Sequence, residues 1–200
     1  MASVEPKITL GLCNGQTVSF IMPNEEALDS RFGPDTQQLL FEPPIFMMGN
    51  GIIMTGVRST AIAWLRIHSD FALSWKYPFG ADEIEWIPEV EFRNANEIKR
   101  VHTKIAITSS PEGTPIEVYT RLQSGDGIFH HFRIKTHSLP KSYRLSIPDR
   151  ISQMQVYHAK HPEGGWLILN LKNFLKLEVY PGAVDLPESV WPAQRFTEST

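Results

Sequence analysis

Turn-forming residues divide this chain into short segments, and this regular interruption restricts the fold more than any other feature. After Glu83, segments rich in Val, Ile, Phe, Tyr and Thr follow one another every 8–13 residues. Such lengths and spacings are typical of antiparallel β-barrels and β-sandwiches. The pattern predicts strands near residues 84–93, 99–108, 115–123, 127–137, 142–147, 153–159, 165–171 and 174–180.

Two Asn-Gly pairs predict β-hairpins in the N-terminal half. Asn14-Gly15 separates two alternating apolar runs in ITLGLCNGQTVSFIM, which is the strongest short-range hairpin signal. Asn50-Gly51 likewise separates two apolar runs in IFMMGNGIIMTGV and predicts a second hairpin. Both faces of this second hairpin are apolar, so we expect residues 45–57 to be covered on both sides, by other elements or by a partner chain.

One short helical region is predicted between the hairpins. Asn24 can cap EEALDSRF, whose first turn carries two carboxylates, and Gly33-Pro34 ends it. The segment TAIAWLRIHS fits both helical and strand periods and is assigned here to a strand. The predicted fold is therefore mainly β: a single-domain antiparallel β-barrel or β-sandwich, a meander of about ten strands, with one or two short helices near residues 24–41. The domain spans residues 1–180, and a Pro-rich extended tail follows over residues 181–200.

Composition excludes several classes of protein. Apolar residues make up 42% and charged residues 20% of the 200 residues, as in a folded globular chain. The apolar runs are far shorter than the ~20 residues of a membrane helix, and the N-terminus shows no signal-peptide pattern. Cys13 is the one cysteine, so neither a disulfide framework nor a Cys-rich zinc site can form. We expect a soluble cytoplasmic protein that does not bind membranes.

The stretch IFHHFRIKTH carries three histidines, and strand alternation separates them. One face is mostly apolar and should point to the core; it holds Ile128, His130, Phe132, Ile134 and Thr136. The other face holds Phe129, His131, Arg133, Lys135 and His137. Matching apolar faces across the turn SGDG places Tyr119 opposite His131 and Glu117 opposite Arg133.

The outer face of these strands is the main candidate binding surface. It is basic, and Tyr119 and Phe129 give it aromatic steps, so it suits phosphates and stacked bases. The alternative is an ordinary solvated sheet face. An acidic segment, Asp82 to Glu91, has five carboxylates that would attract the basic segment. The predicted ligand-binding residues are His102, Lys104, Tyr119, Arg121, His131, Arg133 and Lys135.

Catalytic and metal sites receive less support. His130 and His131 point to opposite faces, and His131 and His137 are roughly 20 Å apart along a strand, too far to share one ion. Gly-x-Ser-x-Gly and phosphate-binding glycine loops do not occur. No cofactor or metal is expected. His130 and His158 would line the interior if the sheet enclosed a cavity.

The favoured function is that of a non-enzymatic binding or interaction protein whose basic face takes an anionic ligand, a nucleic acid or another partner. The alternative is a small-molecule-binding β-barrel, with or without catalysis, that uses His130 and His158. A cavity of about 300 Å³ or more lined by His130 would favour this alternative. A protein partner or a second copy could also bind through residues 45–57 and the tail with Trp191.

Overall fold

The structure is a computed structural model that describes residues 6–49, 52–69, 71–95, 111–140, 142–143 and 146–180. The predicted strand 99–108, the Asn50-Gly51 turn and the tail 181–200 lie outside these residues. The strands of the described part are β1 Lys7–Leu12, β2 Thr17–Ile21, β3 Ile45–Gly49, β4 Met54–Arg58, β5 Ile62–His68, β6 Glu83–Ile87, β7 Pro115–Gln123, β8 Phe129–His137, β9 Val156–Lys160, β10 Trp166–Asn170 and β11 Lys176–Tyr180. The helices are α1 Glu25–Asp29, α2 at residues 89–95 and α3 Ile147–Gln153. Short 3₁₀ turns occur at Pro34–Thr36, Ser59–Ala61, Pro78–Gly80 and Leu171–Asn173.

Nine strands form one mixed sheet in the order β11-β7-β8-β6-β9-β10-β5-β1-β2, and β3 and β4 form a second, two-stranded sheet. All pairs are antiparallel except β6 and β9, which run parallel at Glu85 and Lys160. The mainly β prediction is confirmed. The strands do not follow a meander, because β6 lies between β8 and β9, and β5 lies between β1 and β10. Within the described residues the sheet is open, with β2 and β11 at its two edges, and no closed barrel is seen.

The local signals of the N-terminal half are confirmed. Asn14-Gly15 forms the turn between β1 and β2, with Gly15 at φ 82°, a value that glycine adopts at no steric cost. The Asn24 side chain accepts a hydrogen bond from the backbone N–H of Ala27 at 2.9 Å and caps α1. The ambiguous segment at residues 60–69 contains β5, with one face buried and the other partly buried.

Two predicted strands are corrected. The strand near 84–93 ends at Ile87, and residues 89–95 are helical instead. Pro88 precedes this helix and its first turn contains Glu89 and Glu91, both favourable at a helix N-terminus. The strand near 142–147 is also wrong, because residues 142–143 are helical and Ile147–Gln153 forms α3, which has a proline in its first turn.

The large sheet carries one apolar core on each face. The core of the first face packs β1, β5 and β10 against α1 and the aromatic rings of Phe32, Phe71 and Trp75. The core of the second face is built on β6 to β10 and includes Phe132 and Tyr157. The strand β10 serves both cores, since Ile168 points to the first face and Leu169 to the second.

The β3–β4 hairpin is covered on one face by this chain. Its side chains Phe46, Met48 and Val57 pack against the core of the first face, whereas Ile45, Met47 and Met54 remain exposed. The expectation that residues 45–57 are covered on both faces is therefore met on one face within the described chain. Among the described residues, no helix combines the length and apolar character needed to cross a membrane.

Candidate functional site

The β7–β8 hairpin sets the geometry of the predicted basic face. Tyr119 lies opposite Arg133 and Arg121 opposite His131, a shift of two residues from the predicted register. The turn decides this register: the Ser124 N–H donates to the Ile128 carbonyl at 3.0 Å, and Gly127 has a φ of 86°. A shift by two keeps every side chain on its predicted face, because side chains alternate with a period of two.

The structure brings five of the seven predicted ligand-binding residues onto one face, which we call the charged face; His102 and Lys104 lie outside the described residues. The cations of this face already have carboxylate partners. Arg133 Nε donates to Glu85 Oε2 at 2.9 Å, and Arg133 Nη1 donates to Glu91 Oε1 at 3.0 Å. Lys135 Nζ lies 2.7 Å from Glu83 Oε2. Arg121 Nε lies 2.7 Å from Glu178 Oε2 on β11.

Helix α2 covers part of the same face. The ring of Phe92 lies 4.6 Å from the His131 ring, and Ile87, Phe92 and Tyr119 form a small buried cluster. Burial also lowers the pKa of His131, which favours its neutral form. Tyr119 and His131 are thus packing residues in this structure, and the predicted attraction between the acidic and basic segments is observed. Anion binding by the charged face stays a prediction.

His130 belongs to a buried polar network that the sequence did not reveal. The Ser124 hydroxyl donates to Asp126 Oδ1 at 2.6 Å and lies 3.0 Å from His130 Nε2, while Trp64 Nε1 donates to Asp126 Oδ2 at 2.8 Å. Serine, histidine and aspartate meet here, but the aspartate contacts the serine rather than the imidazole. A nucleophilic triad needs the carboxylate on the far nitrogen of the histidine and an accessible serine, and Ser124 is buried. The network therefore ties the β7–β8 turn to β5.

His158 is held among aromatic rings. It stacks on Tyr77 with the ring centroids 4.9 Å apart, and Trp75 and Trp166 lie at 5.6 and 6.0 Å. Burial lowers the pKa of His158 to about 4, so the ring is neutral at neutral pH. His130, buried on the opposite face, has its pKa lowered to about 4 by the same cause, opposed by the nearby Asp126. Neither histidine lines the two cavities described next.

The first cavity, here called the apolar cavity, opens on the second face of the sheet beside α3. Its volume is about 110 Å³, below the 300 Å³ that would mark a typical small-molecule site. The Thr136 hydroxyl at its wall is buried and has no hydrogen-bond partner within the described part of the chain. The lining residues are Pro78, Phe79, Ala81, Ile84, Val118, Thr120, Leu122, Ile134, Thr136, Leu139, Ile151, Met154, Tyr157, Leu171, Phe174, Leu177 and Val179.

The second cavity is a groove of about 880 Å³ between β2 and β3, here called the β2–β3 groove. Consecutive residues of both strands form its walls, at 19–23 and 45–49. Phe32 and Leu40, which belong to the core of the first face, contribute to its lining. Exposed apolar side chains on and beside the groove are Ile21, Leu39, Ile45, Met47, Ile53 and Met54, each between 47% and 73% exposed.

No three His, Cys, Asp or Glu side chains of the described residues are placed to hold a metal ion. Comparison with protein-family models, with curated proteins and with solved structures finds no match to this chain. Among the described residues, the charged face is internally paired, and the β2–β3 groove is the larger of the two cavities described above.

Proposed function

We propose that this protein is a non-enzymatic interaction module that binds a partner protein through the exposed apolar surface of the β2–β3 groove and the adjoining hairpin. The observation that carries this proposal is the group of six large apolar side chains exposed together at the groove. Isolated apolar side chains are normal on a protein surface, but a contiguous apolar patch of this kind marks a binding surface.

Two further properties of the hairpin support the proposal. No charged residue occurs between Ile45 and Val57, so a partner that covers this segment would desolvate no charge. At roughly 100 Å² each, the six side chains and Ile52 approach the ~800 Å² that each partner buries in a standard interface. The exposed apolar side chains of the groove and the hairpin are thus together large enough to form the centre of a specific contact.

Site-specific photo-crosslinking tests this function. A photoreactive amino acid in place of Met54 should give one discrete crosslinked product in cells, and Met47→Asp should abolish the product because it places a charge in the apolar contact. The same label in place of Leu175, which is 63% exposed against 73% for Met54 but lies before β11 at the other edge of the sheet, is the matched control. No product at Met54, or the same product from both positions, would refute the proposal.

A second candidate function, the binding of a small apolar molecule, is favoured by the apolar cavity. Fourteen of its seventeen lining residues are apolar, and the Thr136 hydroxyl is buried. Apolar cavities accept apolar guests of about the size of benzene. Benzene should therefore raise the Tm of the wild type, and Val118→Phe, which fills the cavity, should remove this rise. An unchanged wild-type Tm would exclude the cavity as a binding site.

A further inference from the structure

The apolar cavity lies between the second face of the large sheet and helix α3. Its floor comes from β6, β7, β8, β9 and β11, and its other walls include Ile151 of α3 and the Pro78–Gly80 turn. None of the seventeen described residues that line it has a charged side chain. An ion that entered the cavity would lose its hydration without gaining a charged partner, so the occupant is an uncharged molecule.

One polar group in the wall of this cavity lacks a hydrogen bond. Thr136 on β8 lines the cavity and is only 8% exposed. Its hydroxyl oxygen is buried and has no partner within the described part of the chain. A buried hydroxyl without a partner destabilises the folded protein. A guest with its own hydroxyl group can donate to Thr136 or accept from it, so such a guest would remove this destabilisation.

The second threonine of the wall already has a partner. The Thr120 hydroxyl lies 3.4 Å from the Tyr157 hydroxyl, within hydrogen-bond distance. Thr120 pairs with Phe132, which precedes Thr136 by four residues in β8, so the two threonines are roughly 13 Å apart along the strands. A guest of about the size of benzene cannot contact both threonines. It therefore has one polar contact to make, and the unpartnered hydroxyl of Thr136 offers it.

The backbone of Phe79, at the same cavity, adopts an unfavourable conformation. Its φ of 59° is the single positive value of a non-glycine residue in the described part of the chain, and an L side chain is crowded there by its own backbone. Such conformations persist where the surrounding structure holds them, and they cluster at ligand sites. Phe79 lines the cavity and is also partly exposed, so it lies between the cavity and solvent.

We infer that the apolar cavity binds a small uncharged alcohol or phenol, whose single hydroxyl group forms a hydrogen bond with Thr136. The inference rests on the second candidate function, the binding of a small apolar molecule, and names the chemical class of the ligand. The volume of about 110 Å³ limits the apolar part of this ligand to about one six-membered ring or a short branched chain.

Phenol and toluene are matched probes, because they have nearly the same shape and differ in a hydroxyl against a methyl group. Isothermal titration calorimetry should detect binding of both to the wild type. Thr136→Val replaces the wall hydroxyl with a methyl group and leaves the hydroxyl of bound phenol without a partner. The ratio of phenol affinity to toluene affinity should therefore fall at least about fivefold in this variant. Without ligand, its Tm should equal or exceed that of the wild type, since it loses an unpartnered buried hydroxyl.

Two further variants locate the contact. Thr120→Val makes the same change at the other wall threonine, roughly 13 Å away, and should leave the affinity ratio within about twofold of the wild type. Val118→Phe fills the cavity and should abolish the binding of both probes. Far-ultraviolet circular dichroism checks that all three variants fold.

The outcomes separate this inference from the second candidate function. Binding of toluene without phenol, or the same affinity ratio in the wild type and in Thr136→Val, overturns the inference and leaves the binding of apolar molecules standing. An equal fall of the ratio in Thr120→Val refutes the contact with Thr136, and binding of both probes to folded Val118→Phe places the site outside the cavity. Absence of binding by both probes overturns the inference together with the second candidate function, and the Met54 crosslink tests partner binding separately.

Discussion

At the scale of single residues, buried histidines have the clearest physical consequence. Burial lowers the pKa of His158 to about 4, from an ordinary value of 6.5. Desolvation also lowers the pKa of His130 and of His161 to about 4. Between about pH 4 and pH 6.5, the unfolded chain binds protons at these histidines that the folded chain does not bind. The neutral histidines therefore contribute fully to the stability of the folded state above pH 6.5, and this contribution is lost as the pH falls toward 4.

Replacement of His158 tests this linkage. The free energy of unfolding of the wild type should fall below pH 6.5, by up to about 1.4 kcal/mol per pH unit for each such histidine. His158→Phe removes one titrating group from the aromatic surroundings, so the pH dependence should become shallower even if the variant is less stable overall. Urea unfolding between pH 4.5 and 7.5 measures both slopes; equal slopes would contradict the assignment.

Gly11 is a position where a side chain cannot fit. A Cβ atom there would lie 1.9 Å from Cε2 of Trp64, whose Nε1 donates to Asp126. Gly11→Ala must displace the indole and should lower the free energy of unfolding by about 2 kcal/mol. Gly33→Ala is the matched control, because its Cβ would be 3.4 Å from the nearest atom and should change stability little. Thermal unfolding of both variants decides the comparison.

At the scale of elements, the β8 strand shows why a correctly assigned face does not define a binding surface. Its basic side chains share a face, as alternation predicts, but β6 lies beside it in the sheet and supplies Glu83 and Glu85. Helix α2 then adds Glu91 and places Phe92 over His131. The basic side chains of β8 could be placed on one face from the sequence. The strand β6 that neutralises them could not be identified, because β6 and β8 are not consecutive along the chain.

Removal of the carboxylates that pair with β8 should leave the positive charge of its face without counter-ions. Glu85→Gln with Glu91→Gln leaves Arg133 without its two ionic partners, so the variant should be retained more strongly on heparin and elute at higher salt than the wild type. The paired wild type should elute at low salt. Strong, salt-sensitive retention of the wild type, reduced by Arg133→Ala with Lys135→Ala, would instead support the predicted anion-binding role of this face.

At the scale of the whole molecule, the two cores are joined through shared strands. β10 buries Ile168 on one face and Leu169 on the other, so loss of either core disturbs the same strand. Phe132→Ala, in the core of the second face, should lower the free energy of unfolding by about 3–5 kcal/mol. The variant should still unfold in a single transition, with coincident circular dichroism and tryptophan fluorescence curves. Two separated transitions would show that the cores unfold independently.

Much of the assignment of helices and strands could be made from local sequence signals. The Asn14-Gly15 turn, the Asn24 cap and the alternation of β7 and β8 depend on contacts between near neighbours in the chain, so they could be read directly from the residues. The strand assigned across Pro88 failed because amphipathic strand and helix patterns are similar over a few residues. The register of β7 and β8 failed because the turn, rather than the best apolar match, sets the pairing.

The mainly β character, the positions of most described strands and the side chains that share a face could all be predicted from the residues, since these properties follow from periodicity and turn chemistry. The strand order, the parallel contact between β6 and β9, and the pairing of the basic face with β6 and α2 emerged from the three-dimensional packing. It also left β2 as an uncharged edge beside the β3–β4 hairpin. These features depend on contacts between residues far apart in the chain, which alternation within a single strand does not encode.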